Sequence, residues 1–363
     1  MDLARAVLSD PEVYSSRVRK RTTPPDEVRD EVTRLRAARL ATSPMLSNDP
    51  PEHDTYRRMV NKAFTPRALG WMEGRVRAVA TDLATALPDE ADFVERFAIP
   101  LPVFVISEVL GLDEAHRGSV RRWTSAMTGT IGGSADGSEW IAAERDLAEF
   151  EAVLMDECRR RRERPGEDLL TGLVRAVDAA EPADDERSAV LIGLVRQLLA
   201  AGNETTTRLL AEGMALLAAH PLEWDRLRRT PDRAEPLVEE MARLASPIQQ
   251  MLRRVTRDVT VAGVRLPAEA TVLVSFASAN RDESVFPDPD RFAPDRTGLR
   301  RQLAFGHGIH ACVGAALARM EARIALEVLA ERTRGIEVVD HEPRYLSSFL
   351  LRGRTSLPVR VRR

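Results

Sequence analysis

The sequence predicts a mostly α-helical protein with a minor β part, formed as a single domain over residues 1–363. Three observations favour this class. Apolar residues recur at spacings of three and four along most of the chain. Segments rich in β-branched residues appear only in the last third. No internal repeat or low-complexity linker divides the 363 residues, which are enough for one large core.

Apolar spacing, glycines and prolines then locate each element. The run Asp49-Pro50-Pro51-Glu52 is typical of a helix start, because prolines fit the first turn and acidic side chains favour the positive end of the helix dipole. Pro66 indicates a break. The pattern over 185–220 is apolar around much of its circumference, which predicts a buried central helix. The predicted helices are 3–8, 26–40, 53–64, 68–87, 101–111, 115–129, 139–162, 185–220, 235–245 and a last one ending at 330; the predicted strands are 259–264, 271–276 and 356–361, with a proline-rich meander or loop over 282–303.

Charge and cysteine usage limit the function classes. The net charge of −3 indicates neither a nucleic acid nor a membrane surface as a partner. Cys158 and Cys312 are the two cysteines, so a disulfide framework is excluded and a reducing compartment is expected. The first ten residues lack the apolar core of a signal peptide, and stretches such as 189–195 are too short to cross a bilayer. We therefore expect a cytoplasmic protein.

Three glycines surround Cys312 just before a predicted helix. Glycine lets a backbone approach a flat ligand closely, and a helix N-terminus favours a thiolate over a thiol. A thiolate is the form in which cysteine binds iron. Two alternatives remain at this point: a buried structural cysteine, or a small zinc or iron site that includes His307 and His310, although the spacing departs from the common zinc ligand sets. The glycines are Gly306, Gly308 and Gly314.

The segment Phe305-Gly306-x-Gly308-x-His310-x-Cys312-x-Gly314 resembles the haem-binding motif of the cytochrome P450 family, with every defining position filled. The resemblance extends over nearly the whole chain and is to bacterial, actinobacterial-type members. It implies a haem-thiolate monooxygenase with haem b (iron protoporphyrin IX) as the cofactor, O2 as the oxidant and Cys312 as the iron ligand. It also implies contacts with the cofactor from Phe305, Gly306, His310 and Gly314.

Two further segments resemble the family in the expected order. Glu240-Met241-Ala242-Arg243 resembles the Glu-x-x-Arg of the family's K helix, and residues 280–292 resemble the meander that follows it. The resemblance implies a structural ion-pair cluster with Arg291 as the third partner. By themselves, Glu240 and Arg243 would be an i,i+3 surface pair worth roughly a few tenths of a kcal/mol.

The segment 201–206 lies in the middle of the predicted central helix and resembles the family's oxygen-binding segment. Gly202 and the three threonines at 205–207 oppose helix propensity, and such violations concentrate at functional sites. Local opening of the helix would leave room for dioxygen and water, with Thr205 donating a hydrogen bond and Glu204 relaying protons. Ala201 and Gly202 would contact the cofactor. The alternative is that the hydroxyls merely bond back to the preceding turn.

Several donors are candidates for the two haem propionates. His53 and Arg57 are four residues apart on one helix face, in a segment that resembles the entry to the family's C helix. Arg253 is favoured over its neighbour Arg254 for the second propionate, and His310 belongs to the same set. Solvated side chains are the alternative interpretation.

The start of the chain departs from the family pattern. Residues 3–8 resemble the B helix, while the A helix and the first two strands of the small sheet have no counterpart before it. The strands predicted at 259–264 and 271–276 would then lack neighbours, and an unpaired edge invites association with another chain. We expect either tolerance of the loss, a start assigned too late, or self-association through the incomplete sheet.

The resemblance implies that one oxygen atom enters a C–H or C=C bond of a hydrophobic small molecule, such as a polyketide, macrolide or modified peptide. Electrons would come from NAD(P)H through a ferredoxin and its reductase, which would dock near Arg58, Lys62, Arg319 and Arg323. Two alternatives of the same fold are an enzyme of oxidative C–C or C–O coupling and a haem-binding sensor without turnover. The expected pocket residues are Gln197, Leu198, Gln249, Gln250, Met251, Ser348 and Phe349.

Overall fold

The computed structural model describes residues 1–18, 23–37, 39, 45–129, 135–180, 184–340 and 342–363. Helices dominate the described residues and confirm the predicted class. The predicted segment 26–40 contains a helix, although positions 38 and 40 lie outside the described residues. The helices are α1 (Asp2–Ser9), α2 (Arg29–Ala37), α3 (Glu52–Asn61), α4 (Pro66–Leu69), α5 (Met72–Ala86), α6 (Pro100–Leu110), α7 (Arg117–Gly129), α8 (Gly137–Glu163), α9 (Leu169–Ala180), α10 (Asp184–Ala218), α11 (Pro221–Arg229), α12 (Ala234–Ala245), α13 (Phe276–Ala279) and α14 (Ala315–Arg332).

Short strands form three small sheets among the described residues. One has the order β1-β3-β6, the second β2-β8-β7, and the third is the hairpin β4-β5. β3 and β6 are antiparallel, with Met251 opposite Val274. The strands are β1 (Tyr14–Ser15), β2 (Glu90–Asp92), β3 (Gln250–Val255), β4 (Val259–Val261), β5 (Val264–Leu266), β6 (Thr271–Ser275), β7 (Gly335–Val338) and β8 (Pro358–Arg362).

One local prediction was wrong. The segment 259–264 is not one strand, because Ala262 and Gly263 take positive φ values of 48° and 82° and turn the chain between β4 and β5. Positive φ at both central residues matches the right-handed twist of a tight hairpin. The break indicated at Pro66 is confirmed, because α3 ends at Asn61 and Pro66 begins a new helix, α4, where its missing N–H costs nothing. Thr65 accepts a hydrogen bond from the Ala68 N–H at 3.2 Å.

The chain divides into two compact units, each described separately here, and the single-domain assignment stays a prediction. The first unit contains residues 1–14, 64–102 and 204–363. Within it α14 packs against α5 and α12, and α1 packs over the sheet that contains β3 and β6. Leu8 of α1, Val255 of β3 and Val274 of β6 are buried together there. Burial of each such side chain stabilises the fold by roughly 1.5–3 kcal/mol.

The second unit contains residues 15–63 and 103–203, with α7 packed along α8. Trp123 and Phe150 are buried in that contact, with ring centroids 5.5 Å apart. α8 begins with a capping box, in which the Asp136 side chain accepts from the Glu139 N–H and the Glu139 side chain accepts from the Asp136 N–H, both at 2.9 Å. Among the described residues, no helix combines the length and the apolar composition needed to cross a membrane.

Candidate functional site

The segment 305–314 forms a closed loop that presents an exposed cysteine before α14. The Cys312 N–H donates to the Phe305 carbonyl at 2.8 Å, which joins the two ends of the loop. Gly306 takes a φ of 71°, a conformation that favours glycine. Cys312 is exposed, so a buried structural role is excluded for it. The loop therefore holds one thiol at the surface of its unit, two residues before the Gly314 N-cap of α14.

Gly308 was expected to let the backbone approach a flat ligand, but in the structure it lets the loop approach α1. Its φ is 72°, and a Cβ at this position would overlap the carbonyl oxygen of Leu8, whose carbon would lie only 3.0 Å away. The close approach that this glycine allows is thus to α1. Arg5 of α1 also donates to the Arg301 carbonyl at 2.7 Å, just before the loop. The N-terminal helix therefore braces the cysteine loop directly.

The side chains around Cys312 fit a haem ligand better than a metal site formed by side chains alone. The His307 Nδ1 lies 3.4 Å from the Arg5 guanidinium, and burial and Arg5 lower the pKa of this histidine, which favours the neutral ring. No group of three or more His, Cys, Asp or Glu side chains in the described ranges could hold a metal ion. A single exposed thiol suits a metal whose remaining ligands come from a porphyrin. Cys158 is unsuitable, because burial raises the pKa of its thiol to about 12.

The Glu-x-x-Arg pair is fully buried. Glu240 and Arg243 are each 0% exposed, and the guanidinium donates to both carboxylate oxygens at 2.7 and 2.8 Å. Arg243 also donates to the carbonyls of Asn280 and Pro289 at 2.8 and 2.7 Å. The surface-pair alternative is therefore excluded, and the pair ties α12 to the meander.

The prediction that the Arg291 side chain is the third partner of the Glu240–Arg243 pair was wrong. Its guanidinium is exposed and pairs with Asp288 at 3.0 Å, while only its carbonyl lies near Arg243, at 3.4 Å. Arg296 takes the expected place, with a side chain 5% exposed and its Nε 3.6 Å from Glu240. Its guanidinium also donates to the Arg291 carbonyl at 2.9 Å. Arg296 was not predicted, because an irregular segment has no regular spacing of apolar residues from which buried and exposed side chains can be distinguished.

α10 is helical without a break through the segment 201–206. Glu204 is buried, Thr205 is half-buried, and the local opening of the helix stays a prediction. A Cβ on Gly202 would lie 3.0 Å from the Ile106 Cδ1, so this glycine lets α6 approach. The Glu204 carboxylate accepts from the Arg208 guanidinium at 2.8 Å, and both side chains are nearly buried. Arg208 was not predicted, although its i,i+4 spacing from Glu204 was visible in the sequence.

The predicted propionate donors have the following surroundings in their own units. His53 is buried on α3, with its Nδ1 3.0 Å from the Asp54 carboxylate, and the half-buried Arg57 donates to Asn61 at 2.8 Å. Arg253 is 6% exposed on β3 and donates to the Leu252 carbonyl at 2.8 Å. His310 ends the short 3-10 turn of the cysteine loop.

The C-terminal segment brings several predicted pocket residues together. The Gln250 side chain donates to the Phe349 carbonyl at 2.8 Å, and the Gln249 N–H donates to the Leu350 carbonyl at 2.8 Å. Ser348 stabilises the turn by accepting from the Leu351 N–H at 3.2 Å. Met251 follows on β3.

In the second unit, the Gln197 side chain accepts from the Leu46 N–H at 3.3 Å, and Leu198 is buried. The same unit has a cavity of about 430 Å³ that contains none of the predicted pocket residues. It lies among α2, α8 and Ile192 of α10, beside the buried ion pair of Arg39 with Glu151 at 2.8 Å. The assignment of the pocket residues stays a prediction.

Comparisons with known proteins agree with this geometry. The model of the cytochrome P450 family matches residues 136–334. The cytochrome P450 monooxygenase PikC of Streptomyces venezuelae is 38% identical over 100% of this chain and 84% of its own length. The erythromycin C-12 hydroxylase of Saccharopolyspora erythraea is 39% identical over 86% of this chain and 78% of its own length. A solved structure of a P450 EryK mutant in complex with erythromycin B is 36% identical, with a TM-score of 0.83 over 99% of this chain and 89% of that one.

The cysteine loop, the buried Glu-x-x-Arg pair and full-length similarity to named monooxygenases agree with one another. Haem b, O2 and electrons from redox partners follow from the family. The chain belongs to the cytochrome P450 family and is a P450 monooxygenase.

Proposed function

We propose that this monooxygenase inserts one atom of O2 into a C–H or C=C bond of a hydrophobic secondary metabolite of the polyketide, macrolide or modified-peptide class. The observation that carries the proposal is the exposed Cys312 in a loop closed by the Phe305 carbonyl. Two findings support the substrate class, since one relative is named for hydroxylation of erythromycin and a solved structure similar to this chain contains erythromycin B. The predicted pocket residues combine three apolar side chains, Leu198, Met251 and Phe349, with three amides and one hydroxyl, a mixture that suits such a molecule.

Haem b, when bound, supplies the iron that activates O2. We assign Cys312 as its thiolate ligand, with the loop backbone holding the sulfur in place. Phe305, whose ring carries the Arg319 guanidinium at 4.1 Å, would lie beside the cofactor. Charged or donor side chains at two carboxylates reduce the cost of burying a dianionic cofactor. The remaining assigned contacts are Ala201, Gly202, Gly306 and Gly314 along the cofactor, and His53, Arg57, Arg253 and His310 at its propionates.

Glu204 and Thr205 are assigned to proton delivery. A buried carboxylate one residue from a half-buried hydroxyl can pass a proton toward the cofactor side of α10. Two single variants test this role. Glu204→Gln removes the ionisable group and Thr205→Val removes the hydroxyl, and neither should prevent binding of the cofactor. Each variant should lower the ratio of product formed to NAD(P)H consumed, because protons then arrive more slowly.

The redox partner proposed here is a ferredoxin with its reductase, and the proposed location is the cytoplasm. Exposed Arg58 and Lys62 can meet an acidic ferredoxin surface. Arg319 pairs with Glu239, and Arg323 pairs with Glu73 at 2.7 Å. Each arginine must leave its carboxylate before it can bind an acidic side chain of the ferredoxin. Self-association through the outer edge of β6, where Leu273 is 43% exposed, stays a prediction.

Two other activities share this fold: oxidative C–C or C–O coupling, and haem binding without turnover. Consumption of NAD(P)H with ferredoxin and reductase distinguishes a sensor from an enzyme, because a sensor consumes none. Incorporation of labelled oxygen from ¹⁸O2 into the product separates oxygen insertion from coupling.

The reduced, carbon-monoxide-bound optical spectrum tests the iron ligand. The purified protein should give the red-shifted Soret band of a thiolate-ligated haem. Cys312→Ser should abolish the band, whereas Cys158→Ser, which alters the buried thiol, should retain it. A wild-type protein without the band would refute the proposal. Spin-state shifts in a panel of macrolides and cyclic peptides would then identify the substrate class.

A further inference from the structure

Arg208 connects two parts of the first unit that the proposed function uses separately. It lies one helical turn after Glu204 on α10, and its side chain is 9% exposed. Its Nη2 donates to the Glu204 Oε2 at 2.8 Å, and its Nη1 donates to the Arg354 carbonyl at 2.8 Å. One planar guanidinium therefore holds the acid and a backbone oxygen at the same time.

Arg354 belongs to a C-terminal hairpin that we define as residues 344–355. Its two arms are joined by the Leu346 N–H, which donates to the Gly353 carbonyl at 3.0 Å, and by the Thr355 N–H, which donates to the Arg344 carbonyl at 2.9 Å. The base of this hairpin lies against α10.

The backbone of Arg354 is held from both sides by α10. Arg208 donates to its carbonyl, and Glu212 accepts from its N–H at 2.9 Å. Glu204, Arg208 and Glu212 are spaced by four residues and therefore lie on one face of the helix. The hairpin base is thus bound by alternating charges along that face.

Gly353 fits the aliphatic part of the same arginine. A Cβ on Gly353 would lie 2.6 Å from both Cβ and Cγ of Arg208, a distance that real Cβ atoms do not tolerate. The space beside the hairpin is therefore filled by the arginine, and a side chain at position 353 would displace it. The buried Nε of Arg208 has no hydrogen-bond partner among the described residues, so the bonds described above come from the two terminal nitrogens.

The tip of the hairpin carries the predicted substrate contacts. Phe349 is 51% exposed there, and its carbonyl accepts from Gln250. A molecule that moves the tip would transmit the displacement through the hydrogen-bonded arms to Arg354.

We propose that Arg208 is a positioning residue that links the Glu204 carboxylate to the C-terminal hairpin, so that a molecule bound at the hairpin tip alters how the proton-delivering acid is held. The proposal rests on the proposed function for the role of Glu204. Because such a link is reciprocal, a change at Glu204 must also alter the hairpin.

Amide hydrogen exchange of the haem-loaded protein tests this link without turnover. Arg208→Lys retains the positive charge but cannot hold two acceptors in one fork, so exchange at the amides of Leu346, Arg354 and Thr355 should become about tenfold faster. Gly353→Ala should give the same result by displacing the arginine. Arg226→Lys, at an exposed arginine that pairs with Glu223 on α11, is the matched control and should leave these amides unchanged.

The decisive comparison uses Glu204→Gln, which changes the acid at the other end of the link that Arg208 makes to the Arg354 carbonyl. It should accelerate exchange at the same amides in the wild-type background and add nothing in the Arg208→Lys background. Unchanged hairpin exchange in Arg208→Lys and Gly353→Ala would overturn the proposal, and so would a Glu204→Gln effect that is absent from the wild type or that persists after Arg208→Lys. The carbon-monoxide spectrum of the same samples judges the proposed function separately.

Discussion

At the scale of single residues, the two cysteines have opposite surroundings. Cys312 is exposed in its loop, whereas Cys158 is buried in α8 and burial raises the pKa of its thiol to about 12. Because the thiolate is the reactive form, the two side chains should differ strongly toward alkylating reagents.

We expect iodoacetamide at pH 8 to label one cysteine per chain in the haem-free protein and none in the haem-loaded protein, because iron would cover the Cys312 sulfur. Mass spectrometry of peptides around both cysteines measures the result. Cys158→Ser serves as the control and should retain the single label. Labelling of Cys158, or equal labelling of Cys312 with and without haem, would contradict this assignment.

Glu321 is a second residue with an unusual environment. It lies on α14 with 2% exposure, its Oε2 has no hydrogen-bond partner among the described residues, and burial raises its pKa well above the usual range. The folded protein therefore binds this proton more tightly than the unfolded chain.

The raised pKa predicts a loss of stability at alkaline pH. The contribution of Glu321 is fully present below the unfolded-state pKa and is lost as pH rises toward the folded-state pKa, at a limiting slope of about 1.4 kcal/mol per pH unit. Glu321→Gln removes the titration, so the free energy of unfolding of the variant should rise relative to that of the wild type as pH increases. Urea unfolding of the haem-loaded protein from pH 5 to 9 measures both curves. Parallel curves would show that the carboxyl does not titrate in this way.

At the scale of elements, α1 and the cysteine loop depend on each other. Position 308 requires glycine for two reasons: its φ is positive, and a Cβ would overlap the Leu8 carbonyl. Gly263 in the β4-β5 turn also has a positive φ, 82°, but open space around it. A comparison of the two glycines therefore separates backbone strain from steric overlap.

Gly263→Ala should cost about 1 kcal/mol, the usual penalty for a side chain at positive φ. Gly308→Ala should cost more, by about 1–3 kcal/mol, because α1 or the loop must also shift. Chemical denaturation gives both values, and the thiolate Soret band should weaken only in Gly308→Ala. Equal costs for the two variants would mean that α1 does not brace the loop.

Most helices with clear three-and-four spacing were predicted, although α9 was missed despite the spacing of its buried Leu170, Leu173, Val174 and Val177. The short elements were harder to predict, and α11, α13, β1, β2, β3 and β7 were also missed. β2 and β7 have three and four residues, too few to establish a period. α11 begins at Pro221, which is compatible with both a helix boundary and a first helical position. Motif matches located Cys312, Glu240 and Arg243, because their spacing is fixed by a single helix or loop. The i,i+4 spacing of Arg208 from Glu204 was visible, but its bond to the Arg354 carbonyl and the positions of Arg296 and Glu212 depend on tertiary contacts that spacing does not determine.

At the scale of the whole molecule, the buried Glu240–Arg243 pair holds α12 against the irregular meander. A buried ion pair contributes little net stability by comparison with apolar residues, but loss of one partner leaves a buried charge unpaired. Glu240 receives further hydrogen bonding from the Ala293 N–H at 2.9 Å, and Arg296 lies beside it. These contacts of the Glu240 carboxylate add to those of the Arg243 guanidinium with the Asn280 and Pro289 carbonyls, so both members of the pair fix the meander to the helical core.

Two arginines of the meander should therefore differ in their importance for folding. Arg296→Ala removes a 5% exposed guanidinium that bonds the carbonyls of Asp288 and Arg291 at 2.9 Å, and should destabilise the protein by about 2–4 kcal/mol. Arg291→Ala removes only an exposed pair with Asp288 and should cost less than about 1 kcal/mol. Thermal unfolding and haem content of the purified variants measure the contrast. The reverse order would restore Arg291 as the third member of the cluster, because its guanidinium would then have to turn inward to reach Glu240.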